Sequence, residues 1–108
     1  VLGLAAALRE PGEPATLALR SAAAVKGIEL EVHGLISSPA RILLIKPSAP
    51  NQVWKTFDLV PMVMAGMPRG IAPVIFQADY DERELILKYE PGRKTSGNLE
   101  IRYRLRQP

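Results

Sequence analysis

The residues that could do chemistry by type and spacing begin with the methionines. Met62, Met64 and Met67 all fall within PMVMAGMP. Thioethers are soft ligands that select Cu(I), and Met62 and Met64, two apart, would share one face of a strand. That makes a periplasmic copper-binding module one alternative reading. A copper site ordinarily adds His or Cys, but the chain has no cysteine and its one imidazole, His33, lies far upstream. Methionine also fills core gaps and builds adaptable contact surfaces. No metal and no cofactor is therefore expected, and Met62, Met64, Met67 and Arg69 are read as candidate contacts to a protein partner.

The second constellation is basic. In the closing stretch ELILKYEPGRKTSGNLEIRYRLRQP, Leu99, Ile101, Tyr103 and Leu105 alternate with Glu100, Arg102, Arg104 and Arg106. Alternation at period two puts an oily face and an arginine-rich face on one strand. A basic face suggests nucleic acid as another alternative. Pairing the two halves as a hairpin removes most of that charge. Lys88 then faces Glu100, Glu84 faces Arg104 and Glu82 faces Arg106, while Tyr89, Leu87 and Leu85 meet Leu99, Ile101 and Tyr103. Opposite charges in cross-strand pairs favour this register over one shifted by two residues. Arg102, opposite Ile86, and the loop residues Arg93 and Lys94 remain uncompensated, and they become contact candidates. Nucleic-acid faces need several unpaired cations, usually with stacking aromatics, so no nucleic-acid partner is expected.

Catalytic chemistry is poorly supplied. A hydrolytic triad needs a base, and His33 sits beside Glu29 and Glu31 on the polar side of IELEVH, as a solvated surface histidine does. Asp79, Asp81, Glu82 and Glu84 lack the alternating ligand spacing and glycine of a calcium loop. Gly66-Met67-Pro68-Arg69-Gly70 is not followed by the Lys-Ser/Thr of a phosphate loop. The chain is read as non-enzymatic.

The elements that must position these residues are short. The chain has 108 residues, of which 47% are hydrophobic and 23% charged, enough for one domain with its own core. Ten prolines are spread along it, which suits many short strands joined by turns. The net charge of +3 is mild. The opening VLGLAAAL is too short to span a bilayer; it is read as a first strand or a frayed helix, or as the trimmed end of a signal or anchor segment in a longer protein.

After the breaker Pro11-Gly12-Glu13-Pro14, Ala15–Ser21 alternates as a strand. A helix near residues 15–26, drawn from its alanines and ended at Gly27, is the alternative and would make the domain α+β. Ile28–His33 is the clearest strand, closed by a break at Gly34. Arg41–Lys46 reads as a central strand buried on both faces. Gln52–Leu59 alternates again and puts Trp54 on a strand face as a further contact candidate. Val74–Ala78 is a short apolar strand before the final hairpin. About seven to eight short strands with regular turn signals predict an all-β antiparallel sandwich.

The run PGEPATLALRSAAAVKGIELEVHG resembles the opening of immunoglobulin-like domains in bacterial envelope proteins, with a Pro-Gly turn, a strand, a loop and a strand of alternating apolar residues and glutamates. Gln52–Asp58 and the basic C-terminal strand are similar to features of the extracytoplasmic domains of membrane-tethered anti-sigma regulators. The resemblance implies an immunoglobulin-like β-sandwich in the periplasm or another extracytoplasmic setting. It also implies a membrane tether outside residues 1–108 and protein partners, or other domains of the same chain. The sequence thus predicts one sandwich acting by protein contact, as an interaction or assembly module.

Overall fold

The computed structural model describes residues 3–8, 11–61, 70–71, 73–92 and 97–108. Its strands are β1 (Gly3–Leu8), β2 (Ala15–Arg20), β3 (Gly27–Ile36), β4 (Ala40–Ile45), β5 (Lys55–Leu59), β6 (Val74–Asp79), β7 (Glu84–Pro91) and β8 (Gly97–Arg106). They form two four-stranded antiparallel sheets, in the orders β1-β8-β3-β6 and β2-β7-β4-β5.

The order follows from one operation. β1 pairs with β8, β2 with β7, β3 with β6 and β4 with β5, as in a single long hairpin whose closed end lies between β4 and β5. Rolling that hairpin brings β3 against β8 and β4 against β7. An eight-stranded double sheet of this kind is a jelly roll. The expected antiparallel sandwich is therefore the fold, but its strand order is not the one expected from the immunoglobulin resemblance, where sequential strands make sheets of the ABED and CFG type.

The predicted β7–β8 hairpin is also corrected: β7 and β8 lie in different sheets and do not pair with each other. Charge alternation decides which side chains share a face, but not which strand supplies the partner. Glu29 and Glu31 of β3 oppose Arg104 and Arg102 over a continuous ten-residue register, and Glu84 opposes Arg20 of β2.

Residues 15–20 form a strand and not the alternative helix, because Leu17 and Leu19 point inward at period two while Thr16, Ala18 and Arg20 are exposed. The following alanines turn: the Ser21 hydroxyl accepts from the Ala23 N–H (3.3 Å) and donates to the Ala23 carbonyl (3.0 Å). A short hydroxyl bonded to nearby backbone competes with helix formation. Gly34 does not break the chain. It lies within β3 at φ +145°, and Gly97 of β8 adopts φ +130° in the same stretch of pairing. A β-carbon at Gly34 would stand 2.1 Å from the Asn98 carbonyl oxygen, and one at Gly97 2.0 Å from that of Leu35. The two strands approach this closely because both residues lack a side chain.

The core lies between the sheets. Ile28, Leu30 and Val32 of β3 and Leu99 and Ile101 of β8 face Ile42, Leu44, Leu85 and Leu87 of the second sheet. Arg41–Ile45 is central but not buried on both sides: Arg41 is exposed and Leu43 half-buried on the outer face. Tyr89 carries the β1–β2 connection, its buried hydroxyl donating to the Pro11 carbonyl at 2.6 Å.

Candidate binding surface

Of the residues expected to make contacts, Met62, Met64, Met67, Arg69, Arg93 and Lys94 lie outside the described residues. Trp54 and Arg102 are described, and they sit in different places.

Trp54 precedes β5 instead of lying on its face. Turns at Lys46–Ala49 and Ala49–Gln52 lead the chain round, and the Trp54 N–H donates to the Leu44 carbonyl at 2.8 Å. The half-buried indole meets Phe76 edge-on (centroids 5.8 Å, 72°) and Tyr80 at a tilt (5.2 Å, 37°), and Phe57 meets Phe76 at 5.1 Å. This wedge closes the flank of the sandwich between β5 and β6. Lys46 Nζ stands 5.0 Å from the indole centroid and 5.6 Å from that of Tyr80, with Lys55 Nζ 5.7 Å from the indole. Such contacts contribute about 0.5–1 kcal/mol each where exposed.

The Tyr80 hydroxyl donates to the Glu84 carbonyl at 2.6 Å. Burial, then the nearby carboxylates of Glu82, Asp81 and Glu84, push its phenol pKa up. The Ser48 N–H and hydroxyl donate to the Glu82 carboxylate at 3.1 and 3.0 Å, tying the β4–β5 and β6–β7 connections together. Trp54 is an anchor of this end of the fold.

Arg102 sits on the outer face of the β1-β8-β3-β6 sheet. There the pairing sets side chains in rows across the strands, and one row reads Leu4, Arg102, Glu31, Ile75. The arginines have acids beside them. Arg104 bonds Glu29 at 2.7 Å, Arg106 Nε lies 3.9 Å from the same carboxylate, and Arg102 reaches Glu100 at 3.5 Å. His33 Nε2 is 3.3 Å from Glu31. Arg102 is thus not the uncompensated cation that the hairpin register leaves. The arginine stripe becomes a checkerboard in which Arg102 and Arg104 each lie beside an acid.

Two features were not visible in the sequence. One is a cleft of about 390 Å³ over the outer face of the other sheet, where Arg41 lies between Glu90 and Asp58 in register. The other is the placing of exposed aliphatics. Leu4 is on β1, Ile75 on β6, and Val53 and Val60 flank β5; each of these is an edge strand, while Leu35, also exposed, lies on β3. Ile75 belongs to VIFQAD, which alternates half-buried and exposed positions, so it faces out while Phe76 faces in. Nothing in that short apolar run distinguishes the two before the strand order is known. Among the described residues, no group of three or more His, Cys, Asp or Glu is placed to hold a metal ion.

No family model matches the chain, and no curated protein matches it. Solved structures do. A chain in the cryo-EM atomic structure of broad bean stain virus superposes with a TM-score of 0.54 at 12% identity, covering 99% of this chain and 86% of that one. A mutant family 29 carbohydrate-binding module is similar with a TM-score of 0.42 at 12% identity, over 82% of this chain and 60% of that one. The first likeness concerns the fold alone, and the second is too loose to bear on this chain.

Proposed function

We propose that this chain is a non-catalytic assembly module that works by docking its sheet edges against other protein. The observation that carries the reading is the position of the exposed aliphatics Leu4, Ile75, Val53 and Val60 on or beside edge strands. Edge strands present unpaired backbone groups, and apolar side chains beside them offer a further strand or module both hydrogen bonds and burial. Two other described surfaces fit this reading: Arg102 and Arg104 of the first sheet lie against Glu100 and Glu29, and the Trp54 wedge is held within the fold. The fold likeness to a chain of a virus structure accords with assembly.

Sedimentation velocity across a range of protein concentrations tests the reading. The sedimentation coefficient is expected to climb with concentration, and replacing Leu4, Val60 and Ile75 by serine is expected to hold it at the monomer value. A parent chain that sediments as a monomer throughout, indistinguishable from that variant, would count against assembly.

A further inference from the structure

Among the described residues, the edge strands of the first sheet carry no charge short of their last residue. In the second sheet β5 carries Lys55 and Asp58 within its span, while β2, like β6, is charged only at its last residue, Arg20. Charges of this kind are how sheets blunt their edges. β6, Val-Ile-Phe-Gln-Ala-Asp, is uncharged until its last residue, keeps an unbroken register with β3, and pairs with no other strand among the described residues. β1, Gly-Leu-Ala-Ala-Ala-Leu, has no charge at all. It has a bulge between Leu4 and Ala6, yet Leu4 and Ala7 both return to the outer face, opposite Arg102 and Glu100.

These bare edges fit each other. β1 is antiparallel to β8, β8 to β3 and β3 to β6, so β1 and β6 run in opposite directions. A second copy placed beside the first in the same orientation therefore presents its β1 antiparallel to β6, ready to pair. The exposed aliphatics also match. Leu4 and Ile75 are 55% and 67% exposed, and they stand at opposite ends of one row on the same face. Joining the edges brings Leu4 of one copy against Ile75 of the next, and the row then continues through Arg102, Glu31 and Ile75 of each successive copy.

We infer that the chain assembles head to tail, β6 of one copy pairing with β1 of a second copy into a continuous sheet. The inference rests on the assembly reading and names its partner. A heterologous contact of this kind closes into a ring or runs on as a filament, depending on the sheet's twist.

The absence of cysteine from the chain makes the test direct. Leu4→Cys and Ile75→Cys are made separately, each at an exposed position, and their melting temperatures are compared with the parent's. The two are then mixed and oxidised. Cross-strand neighbours stand at about the separation a disulfide needs. Mixed disulfide dimers are expected several-fold above the statistical share, and adding Gln77→Lys to the Ile75→Cys chain is expected to abolish the excess. Disulfides formed chiefly between two Ile75→Cys chains or two Leu4→Cys chains overturn the head-to-tail pairing in favour of like edges. No disulfide, while the parent still sediments with concentration-dependent growth, overturns these edges but leaves assembly standing. No disulfide and no growth removes both.

Discussion

Gly97 shows how much a single residue can decide. At φ +130° it occupies backbone space that other residues reach only with strain, and a β-carbon there would overlap the Leu35 carbonyl oxygen at 2.0 Å. Gly3 is the opposite case, where a β-carbon meets its nearest atom, the Tyr103 carbonyl oxygen, at an ordinary 3.8 Å. Gly97→Ala is expected to cost about 3 kcal/mol, from a sparsely populated backbone conformation and a shifted strand pair. Gly3→Ala is expected to stay within about 0.5 kcal/mol. Urea midpoints measured on the two variants and the parent check the contrast. Neither outcome was legible beforehand. A glycine at the end of an alternating run reads as a break, and only the pairing of β3 with β8 makes Gly34 and Gly97 sites of close approach. Trp54 has a similar history. It is conspicuous in the sequence, yet its role as a flank-closing anchor depends on Phe76 and Tyr80, which come from beyond the whole β5–β6 connection.

Strands were easier to find than their partners. Period-two alternation in IELEVH, in ATLALR and in the closing LEIRYRL is a local property, and each became a strand with its apolar face inward. Pairing is not local. Arg104 finds opposite charge equally well at Glu84 or Glu29, and the fold uses Glu29. That choice has energetic content. The Glu29 side chain is 15% exposed and accepts from Arg104 at 2.7 Å, with Arg106 also close. Glu29→Gln is expected to cost about 1.5–3 kcal/mol, as losses of hydrogen bonds to charged groups do. Glu84→Gln breaks the exposed pair with Arg20 and is expected to cost at most about 1 kcal/mol, an effect that shrinks as salt is added. Denaturation of both variants at low and high ionic strength separates the two.

At the scale of the molecule, the rolled hairpin pairs the first strand with the last, and the second with the seventh. Long loops must close before such contacts form, so folding is expected to be slow for the chain's length. Refolding followed by the fluorescence of the single tryptophan is expected to take roughly milliseconds to seconds. A submillisecond relaxation over the full amplitude would contradict the topology. The same roll leaves β1 and β6 as the edges of one sheet and β2 and β5 as those of the other. The proposed docking surfaces are therefore a consequence of topology.

By itself the sequence determined an all-β antiparallel sandwich, the spans of most strands and which of their residues face inward, because period-two alternation acts through neighbours two apart. The tertiary structure alone decided that the sandwich is a jelly roll, that the arginines of β8 meet β3, and that Ile75 and Leu4 lie bare at opposite edges of one sheet. Those outcomes depend on which distant strands lie side by side, and alternation that fits several partners equally well carries no record of that choice.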